Sequence, residues 1–180
     1  MPQGGGRLGG MPTPAIRCNA VARAQRNLIT ADQAFHNGGD MEFIRARVAR
    51  GDWQRVHRGV YLISAAPPDW EQRLFGFVLA CGPGARASHR AAAALWGLDG
   101  FARSVLETTI PLDRRAVPSG GVVHRTQRLN DADLTTRNQI PVTSIARTLA
   151  DAGGTIRHWV GTCTDITERK QATSALLEWQ

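Results

Sequence analysis

Apolar positions recur along this chain at two spacings, three to four residues in some stretches and two in others, and the switches between them mark its elements. In residues 40–51, DMEFIRARVARG, Met41, Ile44 and Val48 share one helical face, at about 100° per residue, while Phe43, Arg47 and Arg50 point the opposite way. Asp40 can cap this helix by accepting from an orphan first-turn N–H, and Gly51 can close it in a left-handed conformation. Arg45 lies beside the apolar stripe, so its guanidinium must reach out along the flank. Upstream, Thr30-x-x-Gln33 has the reciprocal capping pattern, which predicts a helix over 31–37 that stops at Gly38-Gly39. Residues 18–27 supply an earlier helix through Ala20, Val21 and Ala24. Trp53, Val56, Val60 and Leu62 predict a hairpin with Arg55, His57 and Arg58 near its tip, Arg55 and His57 sharing a strand face.

The second half reads as packing. Asp69 caps a helix over 70–81 whose inward stripe is Trp70, Leu74, Phe77, Val78 and Cys81, and Gly82-Pro83-Gly84 stops it. Ser88 caps an alanine-rich helix that ends before Gly97, with Trp96 as a core anchor. Residues 105–110 and 121–125 are strand candidates, and 144–152 form a final helix before Gly153-Gly154. The expected class is therefore α+β: an N-terminal winged helix-turn-helix over 18–64, a small α+β domain over 67–153, and a short strand-helix tail over 155–180. Residues 1–17, rich in Gly and Pro, are expected to be a leader without regular structure.

Composition narrows the function. The 180 residues, 42% of them hydrophobic, can bury one moderate core or two small ones, and the succession of elements favours two. A net charge of +7, with Lys170 the only basic residue besides arginine and histidine, favours a polyanionic partner. A helix with a following hairpin, both rich in arginine, points to double-stranded DNA, with Arg45, Arg47, Arg50, Arg55, His57 and Arg58 as the candidate contacts. No apolar run reaches the roughly 18 residues that span a bilayer, and the N-terminus lacks the apolar stretch of a signal peptide. Cys18, Cys81 and Cys163 form no C-x-x-C pair, which argues against a zinc site or a disulfide framework and fits a reducing cytoplasm. His-Arg pairs recur at residues 57–58, 89–90 and 124–125, yet no acidic residue accompanies them at regular spacing. His89 and His124 are read as hydrogen-bonding residues near the core; no catalytic centre, metal or cofactor is expected.

The runs RARVARGDWQRVHRGVYLI, PPDWEQRL, GARASHRAAAALWGLDG, VHRTQRL and IPVTSIARTLADA, in this order over residues 18–153, resemble the AbiEi-type antitoxins of type IV toxin-antitoxin systems. The resemblance implies an N-terminal winged helix that binds operator DNA and represses its own operon, followed by a domain that counters a nucleotidyltransferase-like toxin. Longer proteins of this kind carry a nuclease domain. Here Glu168-Arg169-Lys170 has the spacing of a nuclease metal-binding pair without the preceding strand, so that domain is expected to be absent, leaving a remnant of a nuclease-fused relative as one alternative. From His158 the chain, HWVGTCTDITERKQATSALLEWQ, resembles the PAC motif of PAS-domain sensor proteins. That resemblance implies the other alternative, a fragment of a sensor kinase-type signalling protein. The lone strand and helix of such a tail are expected to add little to the fold.

Overall fold

The structure, a computed structural model, describes residues 12–152 apart from 65, 116, 117 and 128. The PAC-like tail and residues 1–11 of the expected leader lie outside the described residues. The architecture is mixed α+β, with six α-helices, one short 3-10 helix (Asp131–Asp133) and two sheets among the described residues. No helix among them is long and apolar enough to cross a membrane.

Helix α1 (Pro14–Arg23) starts earlier than the periodicity predicts, because Thr13 caps it by accepting from the Ile16 N–H and Pro14 occupies the first turn, where its missing N–H costs nothing. Residues 14–17, expected to belong to the leader, are therefore helical. The helix also ends early, since Arg26 and Asn27 turn the chain with φ of 54° and 65°. Its inward residues are Cys18 and Ala22, while Ala20 and Ala24 are exposed and Val21 is half-buried. The turn delivers β1 (Leu28–Thr30), then α2 (Ala31–His36), where Thr30 and Gln33 cap each other as expected. Next come α3 (Met41–Ala49), β2 (Gln54–His57) and β3 (Val60–Leu62). These strands form an antiparallel sheet in the order β1-β3-β2, with Tyr61 between Ile29 and Arg55.

The two faces of this sheet serve different cores. Ile29 and Tyr61 pack with Cys18, Ala22, Ala34, Ile44 and Trp53 under α1–α3. Leu28, Val60 and Leu62 face the other way, into the larger core beneath α4 (Trp70–Cys81). The break expected between residues 64 and 67 is therefore spanned by one continuous apolar cluster. Helix α4 has the expected cap at Asp69, reciprocated by Gln72, and the expected stripe, but Glu71, Phe75 and Gly76 are buried as well.

The second sheet has the order β6-β5-β4-β8-β7. Strands β5 (Glu107–Pro111) and β6 (Val122–Thr126) match the expected segments within two residues. Three further strands, β4 (Arg86–Ala87), β7 (Leu134–Arg137) and β8 (Ile140–Thr143), carry too little alternation to be read from sequence; Pro141 even argues against one of them. Helices α5 (His89–Trp96) and α6 (Ile145–Asp151) complete the fold; α6 lies within the expected segment, and Ser144, expected inside that helix, caps it. Two details depart from expectation. Ser88 precedes α5 without capping it: Glu107 Oε2 accepts from the first-turn Arg90 N–H at 2.7 Å, while the Ser88 hydroxyl accepts from Thr109 Oγ1 at 2.8 Å. Trp96 packs against the core, as expected, but only half-buried: its Nε1 donates to the Thr143 carbonyl at 3.0 Å while the Arg137 guanidinium lies 4.7 Å from its ring centre.

Candidate nucleic-acid interface

Helix α3 is held by Asp40, whose Oδ1 accepts from the Phe43 N–H at 2.7 Å, and closed by Gly51 at φ +77°, both as expected. Its orientation differs from the periodicity reading. Only Ile44 is fully buried, with Phe43 and Arg47 half-buried beside it, whereas Met41 and Val48 stand 44% and 37% exposed. The cause is Trp53, just past the helix. Phe43 meets its ring edge-on at 5.7 Å, and Trp53 in turn leans on Tyr61 at 5.8 Å. This aromatic contact adds to the apolar area that Phe43 and Trp53 bury together, and the helix turns its Phe43 side inward.

That rotation reassigns the arginines. Arg47, expected to face solvent, lies with its guanidinium 5.1 Å from the Phe43 ring centre and donates from Nη1 to Asp52 Oδ2 at 3.1 Å. Arg50 donates from Nε to the same oxygen at 3.2 Å. The hydrogen bond from Arg47, reinforced by Arg50, holds the Asp52 carboxyl below its ordinary range, so at neutral pH two cations are tied to one anion. Arg45, expected on the flank of a buried stripe, instead stands on the exposed face, and no carboxylate pairs with it among the described residues.

The hairpin also departs from simple alternation. Arg55 pairs with Tyr61 and His57 with Val60, so a bulge inserts one residue on β2. Arg55 and His57 therefore do not share a face. His57 turns towards α4, its ring edge-on to Phe77 at 5.8 Å, and a Cβ placed on Gly76 would lie 3.4 Å from Val56 and 3.7 Å from His57. Burial pushes the His57 pKa below 6.5, which leaves the ring neutral at pH 7 and unsuited to holding a phosphate. Arg55 and Arg58 remain exposed without carboxylate partners among the described residues, Arg58 at the tip beside Gly59 at φ +72°. Beneath them a groove of about 670 Å³ is lined by Arg55, Val56, His57, Arg58 and Ala80, and by Pro118 and Ser119 from the loop between β5 and β6.

No family model matches the chain, and no curated protein does. Among solved structures it is similar to the RV2827C protein from Mycobacterium tuberculosis, with a TM-score of 0.50 and 19% identity over 78% of this chain. The chain spans 60% of the length of that protein. The likeness is one of fold.

A second polar cluster lies away from the arginines. His89 and His124 stack with ring centres 3.6 Å apart and planes 14° from parallel. His89 sits at φ +52°, and its Nδ1 is 3.0 Å from Ser88 Oγ. Glu107, buried at 3% exposure, accepts from the Arg90 backbone N–H at 2.7 Å and from its Nε and Nη2 at 2.9 and 2.7 Å. The expectation of hydrogen-bonding histidines near the core holds for His89, whereas His124 Nε2 is buried with no partner among the described residues. Ser88 is fully buried, so its contact with His89 positions no accessible nucleophile. Among the described residues no group of three or more His, Cys, Asp or Glu could hold a metal. Cys18 and Cys81 are buried thiols, the latter pushed up to about 11 by burial, which suppresses the reactive thiolate.

Proposed function

We propose that α1 to β3 form a winged helix-turn-helix that binds double-stranded DNA, with α3 in the major groove and the β2–β3 hairpin as the wing on the adjacent backbone. The supporting geometry is a short helix, a four-residue turn over 37–40 containing Gly38 and Gly39, and a second capped helix followed directly by a hairpin. The observation that carries the reading is the distribution of unpaired charge. Arg45 on the exposed face of α3, and Arg55 and Arg58 on the hairpin, all lack carboxylate partners among the described residues, whereas Arg47 and Arg50 are already engaged by Asp52. The proposed contact set is accordingly Arg45, Arg55 and Arg58, narrower than the six residues expected from sequence.

Titration of a duplex from upstream of the chain's own gene, over a range of salt, tests the proposal. If the three arginines neutralise three phosphates, log K falls against log salt with a slope of about −2.7; a contact of Arg45 to a base edge makes the slope shallower. Arg45→Ala costs about 1 to 3 kcal/mol in a sequence-dependent manner if Arg45 reads a guanine edge, and a uniform loss assigns it to the backbone. Binding indifferent to salt, or unchanged in the variant lacking all three arginines, overturns the proposal.

On the resemblance to AbiEi-type antitoxins, the chain is further proposed to repress its own operon and to counter a nucleotidyltransferase-like toxin encoded beside it. Co-expression with such a neighbour tests this second role: rescue of growth supports it, and a locus without a toxin gene leaves the regulator alone.

A further inference from the structure

We infer that the DNA-binding surface extends past the hairpin onto the loop between β5 and β6, where Arg114, Arg115 and Arg125 hold the phosphate backbone flanking the sequence read by α3. This rests on the proposed DNA binding and adds a second contact region in the other half of the chain. Its basis is the groove of about 670 Å³ below the hairpin. One wall is Arg55 and Arg58, the floor includes Ala80 of α4, and the opposite wall is Pro118 and Ser119. The loop that provides this wall also carries Arg114 and Arg115, both exposed. Arg125, exposed on edge strand β6, donates from Nε to the Arg114 carbonyl at 3.3 Å and so fastens the loop to the sheet.

Arg55 and Arg58 line the groove, Arg114 and Arg115 lie on the loop that supplies its opposite wall, Arg125 is tied to that loop, and none of the five has a carboxylate partner among the described residues. The only acidic residue in the loop is Asp113. A surface with this excess of positive charge raises the local concentration of a polyanion, and guanidinium forks fit phosphate oxygens. Duplex DNA is favoured over an acidic protein because the groove begins at the hairpin itself. A wing on the backbone beside α3 places the next stretch of duplex against the far wall. Leu112 and Val122, 50% and 45% exposed, flank the arginines without filling the groove.

The test uses the full chain and two duplexes from upstream of its own gene, a long one and one trimmed to the segment that α3 and the hairpin protect from cleavage. For the variant R114A/R115A/R125A, the salt slope on the long duplex becomes shallower by about 2.7, at roughly 0.9 for each phosphate that is no longer neutralised. On the trimmed duplex the variant and the parent bind alike. The variant R114K/R115K/R125K keeps the charge and retains most of the slope, which separates a phosphate role from a structural one. An unchanged slope on the long duplex overturns the inference, as does an equal loss on both duplexes or lost binding of an acidic protein with DNA binding intact. If R45A/R55A/R58A abolishes binding while R114A/R115A/R125A does not alter the slope, only the extension fails. If the parent chain itself shows no salt-sensitive binding, both readings fail.

Discussion

Asp52 determines which arginines around α3 are available to a ligand. It lies two residues beyond Arg50, past the left-handed Gly51, and the turn returns its carboxylate to the last helical turn. Asp52→Asn removes the anion that occupies Arg47 and Arg50, so non-specific DNA affinity rises at low salt and the salt slope steepens by about 1 to 2. Titration of an unrelated duplex measures this, and a slope equal to that of the parent would show that the two arginines face away from DNA. Histidine supplies a second residue-level expectation. Burial lowers the pKa of both His57 and His89; for His89 its neighbours His124 and Arg147 act in the same direction, while Asp151 and Glu107 oppose them. The unfolded chain therefore takes up protons first, near pH 6.5, and below that value protonation favours unfolding. The thermal midpoint should fall between about pH 7 and pH 5, with a weaker fall in His57→Asn and in His89→Asn. A midpoint flat across this window contradicts the assignment of both rings as neutral and desolvated.

At the scale of elements, what could be read from sequence was local. Thr30 with Gln33, Asp40 and Asp69 were legible as caps because a cap is a contact across three residues, and all three act as caps here, whereas Ser88, read the same way, makes no cap bond. Thr13-Pro14 carried the same kind of signal, masked by the Gly-rich stretch before it. What was not legible depends on partners distant in sequence. The face that α3 buries is chosen by Trp53 and Tyr61, the bulge in β2 by pairing with β3, and strands β4, β7 and β8 by their place in a sheet that joins residues more than fifty positions apart. The candidate residues divide in the same way. The exposure of Arg55 and Arg58 near a hairpin tip was readable, whereas the engagement of Arg47 and Arg50 by Asp52 and the exposure of Arg45 depend on the rotation of α3. Close packing at the start of β6 gives a prediction at this scale. A Cβ on Gly121 would lie 2.6 Å from both the Leu106 carbonyl oxygen and Phe77 Cζ. Gly121→Ala should destabilise the protein by about 1 to 3 kcal/mol in denaturant unfolding, and a neutral outcome would mean that the loop relaxes without cost.

Across the whole molecule, the two halves share both an apolar core and a polar joint. Glu71, near the start of α4, accepts from Asn138 at 3.2 to 3.3 Å and pairs with Arg26 at 3.1 Å and Arg103 at 3.3 Å. The left-handed turn after α1 is thereby pinned to the β7–β8 turn, and Arg26 also receives the Gln72 side chain on its carbonyl at 3.0 Å. Glu71→Ala leaves the partly buried Arg26 without its main anion. It should cost about 1 to 3 kcal/mol, less than loss of a fully enclosed pair because the Arg103 side chain is 57% exposed. Denaturant unfolding measures the loss, and DNA affinity at low temperature should be nearly unchanged. The sheet β1-β3-β2 has a further implication for genetics. Because Leu28, Val60 and Leu62 pack against the same helix that carries Leu74 and Phe77, lesions in that helix would loosen the hairpin from behind. On the proposed repression of its own operon, a selection for alleles that lose that control should thus recover substitutions at Leu74 and Phe77 alongside those at Arg45, Arg55 and Arg58, and the α4 alleles alone should be temperature-sensitive.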